Sequence, residues 1–298
     1  MDRLDAMKLF VAVVDHGGFS AAARVVGMPV ATVSRRIGEL EAHLQARLLM
    51  RSTRKLALTD AGRDYLGGCR RILDEVGELE RAATGELSQP KGELVVTAPV
   101  VFGRMHVQPV ILSFLNAFPD IRIRLVLSDR VAHLLEEHID AAIRIGPLPD
   151  SNMVAIRLGQ IRQVCCASPD YLARHGIPAV PADLAQHTSI NYDGLYLPQR
   201  WQFGVGSQSE EIGMRCRLSV NSAEAAIEAA IAGLGLTRVL SYQCAPAVAE
   251  GRLSLVLESF EPAPWPVHLL HGGQAYMPQK LRAFIDWMVP GIRARLAE

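Results

Sequence analysis

The sequence predicts an α/β protein carrying a helical N-terminal domain, and three observations lead there. Residues 20–41, SAAARVVGMPVATVSRRIGELE, read as two short helices around a tight turn. A long amphipathic helix follows over 59–87. From Glu93 onward, short apolar runs alternate with helical patterns, which is how an α/β domain with a largely parallel sheet is written.

The N-terminal elements come first. Met7, Phe10, Val11 and Val14 form an apolar helical stripe that ends at Gly17-Gly18. Ser20 is placed to N-cap the next helix, and Ala21 to Ala23 keep that helix slim. Gly27 tolerates the left-handed conformation that ends it, and Pro29 suits the first turn of the next helix. Val33, Ile37 and Leu40 then bury one face. A small residue, a glycine four on and a branched apolar residue six further (Ala23, Gly27, Val33) have helix-turn-helix spacing. Such a second helix enters a DNA major groove, so Val30, Ala31, Thr32, Ser34, Arg35 and Arg36 are expected DNA-facing residues, together with Ser20. Arg47, Arg51, Arg54 and Lys55 lie in a short segment whose alternating end, Leu56 and Leu58, reads as a small hairpin. Arg51 and Arg54 can there reach phosphates or a minor groove.

The 298 residues carry no net charge, yet the charge is not evenly spread. Residues 1–58 hold nine Lys/Arg against five Asp/Glu, whereas 59–90 hold four against seven. The basic surplus sits on the groove-binding element, but it is modest, so useful affinity requires two such heads. No apolar run approaches the ~20 residues of a membrane span. The N-terminus shows no signal-peptide core. The five cysteines have neither metal nor redox spacing and read as reduced residues of a cytoplasmic protein.

Residues 1–66 resemble the winged helix-turn-helix of LysR-type transcriptional regulators through GGFSAAARVVG, VSRRIGELE and RSTRKLALTDAG, and the full length fits that family. Relatives often carry Ser-Gln-Pro or Ser-Gln-Ser at the recognition-helix entry, where Pro29, Val30 and Ala31 stand here. The missing glutamine implies a different DNA preference. The resemblance implies an all-α winged helix-turn-helix domain over 1–58, a dimerising linker helix over 59–87 and a hinge over 88–92. It further implies a two-lobed, periplasmic-binding-protein-like effector domain, with lobe I at 93–162 and 267–298 and lobe II at 163–266.

In the linker, Ala61, Tyr65, Cys69, Ile72, Val76, Leu79 and Ala83 recur at spacings of four and three, a seam expected to pair two subunits. The family implies a homodimer and then a homotetramer. In open α/β sheets ligands lie beyond the strand carboxyl ends, often at helix N-termini. That singles out Thr97, Pro99, Val100 and Phe102 after the first strand, and Asn221 and Ser222 at SAEAAIEAAIAG. Gly146, Tyr192 and Arg238 are further cleft candidates. The apolar first loop favours an organic acid or aromatic metabolite as effector.

Expected partners are double-stranded DNA bearing an interrupted inverted repeat, the effector and RNA polymerase, with no membrane and no cofactor. A transport binding protein would lack the basic N-terminal domain. An α/β enzyme would need a nucleophile or metal constellation, and no HExxH, GxSxG or P-loop occurs.

Overall fold

The computed structural model describes residues 2–51, 56–83, 89–129, 139–193, 201–204, 210–273 and 277–297. Two compact units emerge, residues 1–92 and 93–298.

The first unit contains helices α1 (Arg3–Asp15), α2 (Phe19–Val26) and α3 (Val30–Leu44), the antiparallel ribbon β1 (Leu49–Arg51) and β2 (Leu56–Leu58), and the long helix α4 (Asp60–Ala83). Its core joins Leu9, Phe10 and Val13 of α1, Ala22 and Ala23 of α2, Val33, Ile37 and Leu40 of α3, and Leu66 and Cys69 of α4. Gly27 closes α2 with φ at 69°, the conformation glycine adopts without strain.

Three local expectations are corrected. Ser20 does not cap α2: the helix begins at Phe19, Gly18 occupies the cap position, and no side-chain bond is made there. Pro29 is the cap residue of α3, and its carbonyl accepts from the Thr32 and Val33 amides at 2.9 and 3.1 Å. The first half of the linker seam also packs on its own domain. Cys69 is buried, and Tyr65 meets the Phe10 ring at 5.7 Å, so α1 covers these positions. Ile72 and Leu79, farther along, are 40% and 57% exposed. Thr59 caps α4, its Oγ1 accepting from the Gly62 amide at 2.9 Å. Gly62 is required by proximity, since an added Cβ would run into the Leu48 carbonyl. Residues 84–88 lie outside the described set.

The second unit is built on two five-stranded sheets. One has the order β4 (Ile121–Leu127), β3 (Gly92–Ala98), β5 (Ala141–Ile145), β14 (Trp265–Gly272), β6 (Met153–Ile161). The other has the order β11 (Arg215–Val220), β8 (Thr188–Tyr192), β12 (Leu236–Leu240), β7 (Gln163–Ala167), β13 (Ser254–Val256). The chain therefore passes from one sheet to the other at Arg162 and returns before Trp265.

These passages overturn the largely parallel expectation. β3 and β5 are parallel, as are β8, β11 and β12. β14 is antiparallel to both β5 and β6, and β7 is antiparallel to both β12 and β13. A strand that enters its sheet from the other lobe is not delivered by a βαβ crossover, so it is free to run the opposite way.

The sequence reading omitted β6 altogether. Its residues are exposed at Val154, Ala155 and Arg157, as suits the edge of a sheet, and its apolar start, Met153 to Ile156, breaks off at Arg157 without strict alternation. The short β9 (Trp201–Phe203) falls within RWQFG, which the sequence reads as a strand, whereas its antiparallel partner β10 (Glu210–Ile212) was unforeseen. The sequence pattern over 131–138 also reads as a helix, and those residues lie outside the described set.

The sequence pattern reads a helix from Phe102 to Phe118, and the first helix of this unit starts two residues earlier, at Val100. It runs through Val100–Phe102 (α5), a π-helical turn Gly103–Val107 and Gln108–Ala117 (α6). Helices α7 (Pro169–His175), α8 (Ala223–Ile231), α9 (Ser241–Ala249) and α10 (Gln279–Ala297) complete it.

Candidate functional site

On α3, burial of Val33, Ile37 and Leu40 fixes which side faces out. Val30, Ala31 and Arg35 are exposed, while Thr32, Ser34 and Arg36 are half-buried. The outward face is therefore the one the sequence singled out. Sequence reasoning missed two acidic side chains beside it. Glu39, one turn after Arg35, pairs with its guanidinium, Arg35 Nη1 donating to Oε1 at 2.5 Å. Glu41 Oε1 accepts from the Leu48 and Leu49 amides at 2.8 and 3.1 Å and so ties the end of the helix to the ribbon. The (i, i+4) spacing of Arg35 and Glu39 was legible and is the usual signal for such a pair. Ser20 is exposed in the first turn of α2. Arg51 ends β1 opposite Leu56; Arg54 lies outside the described residues.

The second candidate region lies where the two sheets of the larger unit meet. Asp129 is its organising residue, and the sequence reading did not name it. Its Oδ1 accepts from the Val100 amide at 2.9 Å, and its Oδ2 accepts from the Tyr192 hydroxyl at 3.3 Å. Val100 and Tyr192, ends of different lobes, are thus brought onto one carboxylate. Burial and the nearby Asp129 charge raise the Tyr192 phenol well above its ordinary range, so it stays a neutral donor. Arg104 pairs with Glu224 in the first turn of α8. Ser222 caps that helix, accepting from the Ala225 amide at 3.4 Å, with exposed Asn221 before it. Val101 and Met105 pack into the core of the second lobe, and Tyr242 of α9 packs against both cores.

Thr97, the last residue but one of β3, is fully buried, and its Oγ1 has no hydrogen-bond partner among the described residues. Pro99 is buried, while Val100 is 38% exposed. Gly146, at φ 106°, donates its amide to the Pro266 carbonyl at 2.9 Å and joins none of these cross-lobe contacts. Phe102 is corrected to a core residue. Its ring is fully buried between His106, at 4.8 Å, and Tyr242, at 5.4 Å, and is not presented to a ligand.

Cys165 and Cys166 are buried in β7, and burial pushes the Cys165 thiol up to about 12, away from thiolate chemistry. Among the described residues no group of His, Cys, Asp and Glu could hold a metal. No helix among them is long and apolar enough to cross a membrane.

The model of the bacterial regulatory helix-turn-helix protein, lysR family, matches residues 4–63, and that of the LysR substrate binding domain matches 87–292. An HTH-type transcriptional repressor of Pseudomonas aeruginosa (strain UCBPP-PA14) is 36% identical over 97% of this chain and 92% of its own. The HTH-type transcriptional activator AaeR of Escherichia coli (strain K12) is 31% identical over 96% and 93%. The full-length structure of the Vibrio cholerae virulence activator AphB, 30% identical, superposes with a TM-score of 0.61 and covers 96% of this chain and 98% of that one. With a helix-turn-helix in the first unit, two lobes in the second and both family models matching, the chain belongs to the LysR family of DNA-binding transcriptional regulators.

Proposed function

We propose that the chain recognises an interrupted inverted repeat in double-stranded DNA as a homodimer, with a small-molecule effector in the cleft between its two lobes altering operator binding or DNA bending. The exposed face of α3 carries this reading: Val30, Ala31 and Arg35 point outward while Val33, Ile37 and Leu40 anchor the helix from behind. Ser34, Arg35 and Arg36 supply base and phosphate contacts, and Arg51 and Arg54 supply ribbon contacts to the backbone or minor groove. Residues 1–58 form the DNA-binding domain, 59–87 the linker helix, 88–92 the hinge and 93–298 the effector domain. Exposed Ile72 and Leu79 support pairing of two subunits through the linker helix, and two dimers make the tetramer.

The effector site draws on Thr97, Pro99, Val100, Gly146, Tyr192, Asn221 and Ser222. Asp129 already joins the Val100 amide to the Tyr192 hydroxyl, so a ligand that enters there competes with a carboxylate of the protein's own and shifts lobe closure. An organic acid or aromatic metabolite suits these partners. Relatives of similar identity are named as a repressor and as an activator, so the direction of control follows from operator position and contacts with RNA polymerase. Sequencing genomic fragments retained by the purified protein, then footprinting them with and without metabolites encoded nearby, tests the reading. Enrichment without a shared two-half-site repeat would overturn it.

A further inference from the structure

We infer that the second lobe holds a separate site for a small organic carboxylate bearing a hydroxyl or amino group, built from Arg238, Asn191 and Gln163 beneath Phe203.

Arg238 lies on β12, the middle strand of its sheet, and is only 5% exposed. Its Nη2 donates to Gln163 Oε1 at 3.1 Å, and its guanidinium carbon lies 5.6 Å from the centre of the Phe203 ring. Its Nη1 is shielded from solvent and has no hydrogen-bond partner among the described residues. No carboxylate pairs with it among those residues. Glu261, whose charge acts on it, has both oxygens held by Arg162 at 2.7 Å. Residues 194–200 and 205–209, on either side of β9, contain neither Asp nor Glu.

The neighbouring strand carries the complementary group. β8 and β12 are parallel with Leu236 opposite Ser189 and Thr237 opposite Ile190, so alternation puts Asn191 and Arg238 on one face. Asn191 Oδ1 is likewise shielded and without a partner among the described residues. Gln163 occupies the same face of β7 on the other side. Trp201 and Phe203 belong to the apolar cluster that includes Leu236 and Cys165 of this face. One unused donor of positive charge and one unused acceptor thus stand side by side under an aromatic wall.

A buried guanidinium without a counter-charge is costly, and a leucine or methionine would fill the position without that cost. Burial already lowers its pKa to about 10. A carboxylate on Nη1 supplies the missing charge, a hydroxyl or ammonium on the same molecule donates to Asn191 Oδ1, and an apolar body lies along Phe203.

The test uses the full chain in thermal-shift and calorimetric titrations with mandelate, benzoate, mandelamide and inorganic phosphate. Mandelate should raise the unfolding midpoint most and benzoate less, while the neutral amide and phosphate leave it unchanged. Arg238→Met should weaken mandelate binding roughly tenfold or more, the loss of a charge-assisted pair, without lowering the ligand-free midpoint. Asn191→Ala should reduce mandelate to the benzoate level and spare benzoate itself. Three outcomes overturn the site: no response of the wild type to either acid, equal binding by Arg238→Met, or a lowered ligand-free midpoint in Arg238→Met with no response to mandelate. Binding lost in Ser222→Ala but kept in Arg238→Met would put the carboxylate in the inter-lobe cleft, overturning this site and leaving the functional proposal standing.

Discussion

Arg35 does not stand free on the recognition helix: Glu39, one turn later, holds its guanidinium at 2.5 Å. Both side chains are well exposed, so the pair contributes little to stability and is readily exchanged for a phosphate or guanine edge. Glu39→Gln should therefore tighten operator binding by about twofold to fivefold, since exposed pairs are worth ~0.2–1 kcal/mol. Arg35→Ala should weaken it by about tenfold or more with an unchanged melting midpoint. Mobility-shift titrations at fixed salt read both, and Glu39→Gln binding no tighter than wild type would show that the pair does not restrain Arg35.

Two of the glycines of α4, Gly62 and Gly68, should respond in opposite directions. Gly62 lies against the Leu48 carbonyl, whereas an added Cβ at Gly68 meets nothing within 4 Å. Gly62→Ala should cost about 1–3 kcal/mol by overpacking. Gly68→Ala should gain up to about 1 kcal/mol from helix propensity. Denaturant unfolding of the two variants gives the comparison directly.

Capping gives a second contrast. Thr59 Oγ1 accepts from Gly62 and donates to the Arg47 carbonyl at 2.6 Å, so Thr59→Ala should lose about 1–2 kcal/mol. Ser20 makes no cap bond, and Ser20→Ala should leave the unfolding midpoint within experimental error.

His187 sets an acid limit on the second lobe. Its Nδ1 lies 3.2 Å from the Tyr171 hydroxyl, and burial followed by the charge of His175 lowers its pKa below the ordinary histidine value. The folded state thus prefers neutral imidazole, and the unfolded chain takes up the proton first. Stability is present above the unfolded pKa of about 6.5 and declines as the pH falls below it. His187→Asn should flatten the pH dependence of the melting midpoint between neutrality and mild acid.

Ile72 and Leu79 leave the second half of α4 with an uncovered apolar stripe. The Ile72→Glu, Leu79→Glu double variant should sediment as a smaller species, keep its helical circular dichroism and bind operator DNA far more weakly. An unchanged sedimentation coefficient would move the subunit contact elsewhere.

Local chemistry made much of this legible. Gly27, the Val33–Ile37–Leu40 stripe and the Thr59 cap act over one or two helical turns, and the sequence displays them. β6 escaped because an edge strand does not advertise itself by periodicity, and the parallel expectation failed because strand direction was set by passages between lobes. Asp129 was missed for a related reason: its two partners lie 29 and 63 residues away along the chain. Phe102 was read from its place in a loop sequence, whereas Tyr242, on another lobe, decides its burial.

The insertion of β14 between β5 and β6 carries a consequence for biosynthesis. β5 and β6 cannot share their interior neighbour until residue 272 has left the ribosome, so the first-begun lobe is the last completed. The second lobe draws its sheet from one unbroken stretch, Gln163 to Val256, and can close while the other still waits. During that interval Ile143 and Ile156 lack the Leu269 that later lies between them, leaving apolar strand edges open to chaperones or to misassembly with a neighbouring nascent chain.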